Sequence, residues 1–221
     1  MVSNSCPSYS ASARPVKEYR YSRWVPRSRM TPNQRRDQLL DVGASMFSAQ
    51  PFEDVSMEDV AERADVSRAL VYHYFANKKE LFAAIWKRAH DDLLKSATFD
   101  GSAPLVDQVR RALTAHYEFY EQHAPLVFLA NRSDIALDPV VRQPITDDLN
   151  TMRYRLLDAA GLTGHARAVA SAGLVGWIAF VRDVAIEWLE RREVSRREAI
   201  DLCLAALAGV LGPVIQVSAD S

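Results

Sequence analysis

Glycine is scarce in this sequence, with 8 in 221 residues, and no stretch alternates apolar and polar residues over a useful strand length. Both gaps argue against a β-rich fold. Cysteine is nearly absent. Cys6 lies in a polar tail and Cys203 in an apolar helical stretch, so a disulfide framework is not expected and a reducing, cytoplasmic compartment is. The uncharged run Ala168 to Val181 falls short of the roughly 20 apolar residues that span a bilayer. The N-terminal tail has no apolar centre of the kind a signal peptide carries. Catalytic signatures are missing too: there is no glycine-rich phosphate loop, no Gly-x-Ser-x-Gly and no His-Glu-x-x-His. His116 and His123 share a helical face but have no third ligand at metal-binding spacing. The expectation is a chain that is not an enzyme, with no cofactor, no metal and no membrane partner.

What is present is helical. The composition is 48% hydrophobic and 25% charged, ordinary for a soluble protein. Net charge is −1, but it is unevenly spread. Residues 1–30 hold six basic side chains against the single acid Glu18. This segment is rich in Ser, Arg and Pro and lacks helical apolar spacing, so disorder is expected. It reads either as a basic arm that follows phosphates or as a stretch upstream of a true start at Met30.

Beyond it, Thr31 with Pro32 opens a helix to about Gln50, with Leu39, Leu40, Gly43, Met46 and Phe47 inward. Pro51 ends it. Phe52 and Val55 then pack beneath the next unit. Ser56 with Asp59 starts a short helix whose Val60, Ala61 and Ala64 share a face. Asp65 and Val66 interrupt it. Ser67 caps a second short helix, Arg68 to Tyr74, and Asn77 with Glu80 caps a longer one, Lys78 to Ser96. Two short helices around a tight turn have the shape of a helix-turn-helix, whose second helix enters the major groove of double-stranded DNA. Val66, Leu70 or Val71, and Tyr74 or Phe75 supply its inward stripe. Arg68, Ala69, Tyr72 and His73 face out. Arginine suits guanine, small side chains suit a thymine methyl, and Tyr72 and Lys78 suit phosphate oxygens.

The run Val60-Ala61, Ala64-Asp65-Val66-Ser67, Val71-Tyr72-His73-Tyr74-Phe75, Lys78 and Leu81 resembles the DNA-binding signature of the TetR (tetracycline repressor) family. It differs in Asp65, where the family usually has glycine, and in Ala69-Leu70 early in the reading helix. The resemblance implies an all-α fold: a basic extension (1–30), a helix-turn-helix domain (31–78), and a helical regulatory and dimerisation domain (79–221). It implies DNA contacts from Ser56, Arg68, Ala69, Leu70, Tyr72, His73, Tyr74 and Lys78. It also implies a homodimer through the last two helices, about 165–192 and 196–211, the latter stopped by Gly212-Pro213. A small, hydrophobic effector is expected among His116, Tyr117, Tyr120, Phe128, Met152, Tyr154, Trp177, Phe180, Arg182 and Asp183. The resulting expectation is a repressor released from a palindromic operator by its ligand. The competing reading is a helical ligand-binding or metabolic protein whose N-terminal hairpin only resembles a reading head.

Overall fold

The computed structural model describes residues 30–219. The basic extension expected over residues 1–30, with Cys6, lies outside the described residues except for Met30. Among the described residues there are nine α-helices and no strand: α1 Pro32–Ala49, α2 Met57–Arg63, α3 Arg68–Tyr74, α4 Lys78–Ser96, α5 Leu105–Gln122, α6 Ala124–Arg132, α7 Pro139–Ala159, α8 Gly164–Arg191 and α9 Arg196–Ala219.

The start of α1 is a reciprocal cap. The Gln34 amide donates to Thr31 Oγ1 at 3.2 Å and the Thr31 amide to Gln34 Oε1 at 2.9 Å, worth about 1 kcal/mol. The inward face is the expected one, with Leu39, Leu40, Gly43, Met46 and Phe47 buried. Gly43 lets α4 come close, since a Cβ there would sit 2.8 Å from Ile85 Cδ1. After Pro51 a single 3-10 turn, Phe52–Asp54, brings Phe52 onto Phe47 with ring centroids 5.5 Å apart, and Phe82 of α4 closes the cluster edge-on at 5.4 Å from Phe47. Val55 is buried below.

α4 crosses α1 and continues onto α7. Three polar contacts hold it. Arg88 pairs with Asp41 of α1 at 2.7 Å. Lys79 pairs with Asp138, the N-cap of α7, at 2.6 Å. Arg155 of α7 donates to the carbonyl of Leu94 at 2.7 Å, completing acceptors that a helix end leaves open.

α8 packs along α9 and also meets α5, α6 and α7. The Trp177 indole N–H donates to the Cys203 carbonyl at 2.8 Å. Tyr117 is fully buried at the junction of α5, α8 and α9, with its hydroxyl 3.7 Å from Cys203 Sγ and its ring 5.1 Å from Trp188. By length and composition α8 is apolar enough to cross a membrane. Its buried side chains, Leu174, Trp177, Val181 and Ala185 among them, face neighbouring helices of the bundle.

One helix boundary departs from expectation. α9 does not stop at Gly212-Pro213 but continues to Ala219. Proline lacks one amide proton, yet its fixed φ is compatible with helical backbone, and α7 likewise accommodates Pro144. The break after α5 falls at His123 (φ −117°, ψ 27°), and Pro125 sits in the first turn of α6, where no amide proton is needed.

Candidate functional site

Local caps build the exposed reading surface. Ser56 Oγ accepts from the Asp59 amide at 3.0 Å and starts α2. Val60, Ala61 and Ala64 turn inward. The turn closes when the Val66 amide reaches the Ala61 carbonyl at 3.0 Å, with Asp65 at φ 53°. That left-handed backbone favours glycine, and aspartate tolerates it better than most residues. Gln38 of α1 donates to the Ala64 carbonyl at 3.1 Å and pins the turn. Ser67 Oγ then accepts from the Leu70 amide at 3.3 Å and starts α3. Val71 and Phe75 are buried, and Arg68, Ala69, Tyr72 and His73 are exposed. Ser56, Leu70 and Tyr74 are half-buried.

Arg68 is held within its own unit. Its Nε lies 2.6 Å from Glu58 Oε1 of α2 and its guanidinium 5.5 Å from the Tyr72 ring. Both partners of the ion pair are largely solvated, so the pair contributes under about 1 kcal/mol and is exchangeable for another anion. Lys78 differs from expectation. Its ammonium does not project outward but donates to the carbonyls of Phe52 at 2.6 Å and Glu53 at 3.1 Å, over the Phe52 ring at 4.4 Å. It ties the loop before α2 to the start of α4.

A second feature is a cavity of about 110 Å³ between α4, α5, α7 and α8. Of the side chains expected at an effector site, His116, Tyr120, Met152, Trp177 and Arg182 line it. The other five lie elsewhere. Tyr117 fills the α5–α8–α9 junction, and Phe128 packs against the core. Tyr154 faces outward beneath Arg153. Phe180 lies toward α9 near Leu202, and Asp183 pairs with Arg182 at 3.0 Å. Helical spacing identifies an inward side chain but not whether it borders a void.

Sequence reasoning missed Trp86 and His90 of α4 and Asp148 of α7, all in the cavity wall. The signal was there for α4, because Trp86, His90 and Leu93 follow one another at four- and three-residue spacing. The His90 ring lies 4.6 Å from Trp86, and its Nδ1 is 3.8 Å from the Asp148 carboxyl. His90 Nε2, His116 Nε2 and Trp86 Nε1 are buried with no hydrogen-bond partner in the protein. Burial pushes the His90 imidazole down to about 4 and His116 to about 3, and it pushes the carboxyl of Asp148 and the phenol of Tyr120 upward. Both imidazoles are therefore neutral at neutral pH. No group of three or more potential metal ligands occurs among the described residues.

Residues 39–85 match the bacterial regulatory proteins of the tetR family. That stretch carries the DNA-binding domain of the TetR family. The chain is 28% identical over 183 residues to the HTH-type transcriptional activator FasR of Mycolicibacterium smegmatis, covering 79% of this chain and 81% of that protein. It is 24% identical over 165 residues to the HTH-type transcriptional repressor KstR2 of Mycobacterium tuberculosis, covering 71% and 82%. A tetR-family transcriptional regulator from Streptomyces coelicolor shares its fold with a TM-score of 0.74, at 25% identity and 85% coverage of both chains. The chain is a DNA-binding transcriptional regulator with an N-terminal helix-turn-helix and a C-terminal helical domain. Regulators of this family are not enzymes. They bind DNA, typically as dimers and with small-molecule effectors.

Proposed function

We propose that the chain is a cytoplasmic, homodimeric repressor that grips a palindromic operator through α3 and is released when an effector fills the cavity beside α4. The observation that carries this reading is the outward face of α3. Arg68, Ala69, Tyr72 and His73 are all exposed on a short helix whose opposite face, Val71 and Phe75, is sealed into the core. Residues 31–78 form the reading head and 79–221 the regulatory and dimerisation part. Ser56 and Tyr74 flank the reading surface, Leu70 borders it, and Lys78 acts by fixing its loop.

The dimer reading rests on an exposed apolar strip along the last two helices. Val169, Val175 and Phe180 of α8 and Leu202 of α9 are each more than a third exposed. Large apolar side chains gathered on one helix pair mark a contact surface, and a self-complementary one gives two-fold symmetry to match a palindrome. FasR is named an activator and KstR2 a repressor. We favour repression because α4 directly follows α3 and also walls the cavity with Trp86 and His90, so an effector that displaces α4 displaces the reading helix. If the displaced state is favoured by about 3 kcal/mol, operator affinity falls about a hundredfold.

Arg68→Ala and Tyr72→Ala test the assignment. Each should weaken binding to the operator in a mobility-shift titration by at least about tenfold, with the thermal unfolding midpoint unchanged. Retention of full affinity by both variants would overturn the placement of the reading helix.

A further inference from the structure

A second cavity, of about 440 Å³, adjoins the first, and Asn131, Ile145, Leu149, Ile178 and Arg182 line both. Its chemistry is different. Four arginines line it, Arg132, Arg142, Arg153 and Arg182, against one carboxylate, Asp183. Like charges gathered in one concavity repel, and here they are incompletely balanced. Arg182 has Asp183 at 3.0 Å and Arg132 has Glu190 at 3.3 Å. The Arg142 guanidinium has no ion-pair partner among the described residues. Among the described residues Arg153 donates to the Tyr154 hydroxyl and lies over its ring, and its Nε is buried with no hydrogen-bond partner. A buried guanidinium N–H without an acceptor costs free energy unless an anion arrives.

We infer that this regulator binds an amphipathic anion. The apolar body enters the cavity walled by Trp86, Met152 and Trp177. The carboxylate or phosphate head rests on Arg142, Arg153 and Arg182. The geometry suits the class because an apolar chamber with neutral imidazoles opens beside a cationic one, and Arg182 stands at their junction. Arginine's planar fork matches both head chemistries. This deepens the effector half of the proposed function and rests on it.

The test is calorimetric titration of the full chain with octanoate, octyl phosphate, octanol and inorganic phosphate. At least one amphipathic anion should bind at least about tenfold tighter than octanol, since charge-assisted hydrogen bonds carry the head. Preference for octyl phosphate points to a phosphate ester as the natural head, and preference for octanoate points to a free acid. Arg142→Gln with Arg153→Gln should weaken the preferred anion at least tenfold and leave octanol unchanged, with the unfolding midpoint and the dimer mass retained.

The inference fails if octanol matches both anions, if no amphipathic probe binds, or if the double variant leaves anion affinity unmoved. It also fails if inorganic phosphate alone binds as tightly as octyl phosphate. A parallel mobility-shift assay without probe separates the two readings. Anion binding without operator binding would sink the regulator reading alone, and operator binding without anion binding would sink only this inference.

Discussion

Replacing His90 or His116 by phenylalanine perturbs the cavity wall in a way that can be worked out beforehand. An unfolded histidine titrates near 6.5, whereas burial holds His90 near about 4 and His116 near about 3. Between those values the unfolded chain binds the proton and the folded chain does not. Each histidine's stability contribution is therefore complete above about pH 6.5 and is lost as pH falls toward the folded value. At pH 5 the loss relative to pH 7 is about 2 kcal/mol for either residue, and for His90 it reaches about 3 kcal/mol below pH 4. The assay is urea unfolding of wild type, His90→Phe and His116→Phe at pH 7 and pH 5. Wild type should lose about 2 kcal/mol more than either variant between the two pH values. Asp148 and the other carboxylates remain in all three proteins, so their titration largely cancels in the difference. The double variant should show less than the sum, because each imidazolium would repel the other. Equal pH dependence in wild type and both variants would show that the imidazoles are hydrated, and the buried neutral cavity would be refuted.

Two further outcomes follow from named contacts. Lys78→Met removes an ammonium from two carbonyls and should cost about 2 kcal/mol in chemical unfolding, while weakening operator binding less than Arg68→Ala does. Val169→Glu places a charge on the exposed apolar strip of α8 and should shift the molar mass in light scattering from dimer to monomer, with helicity by circular dichroism retained; a dimer of undiminished stability would move the interface elsewhere.

The reading head was legible in the sequence because local rules decide it. Capping side chains at Thr31, Ser56, Ser67 and Asn77 mark each start, and the inward stripes repeat at helical spacing. Even the left-handed Asp65 is a local property. The effector region was half legible. Tyr117 and His116 are neighbours on one helix, yet one fills a junction with Cys203 and Trp188 and the other borders a void. That difference is set by where α8 and α9 cross α5, which no periodicity on α5 can report. Lys78 was misplaced for a similar reason. Its long, flexible stem allows the charge either to project or to fold back, and the carbonyls of Phe52 and Glu53 that draw it in are 26 and 25 residues away. The end of α9 was misread because Gly-Pro is a local stop signal, and it yields where the backbone stays helical to Ala219.

α4 links the two halves. Its first turn is joined to α3 by Asn77, whose side chain accepts from the Glu80 amide at 3.0 Å, while Glu80 reaches back to the Ala76 amide at 3.1 Å. Its later turns supply Trp86, His90, Leu93 and Leu94 to the cavity. The Lys79–Asp138 pair and the Arg155 contact to Leu94 hold both ends of α4 against α7. A ligand entering between α4 and α7 works against these contacts and against the packing of the two helices, while the opposite face of α4 is seated on α1 at the Gly43 crossing. In the proposed release α1 and α4 move together and carry α2 and α3 with them. A 19-residue helix is about 28 Å long, so a tilt of about 5° at the cavity end moves the other end by about 2.5 Å. In the proposed dimer the two heads move in opposite senses, changing their separation by about 5 Å against a half-site spacing of about 34 Å. A shift of that size exceeds the tolerance of a hydrogen bond to a base edge, so a small tilt of α4 would be enough for the proposed release from DNA.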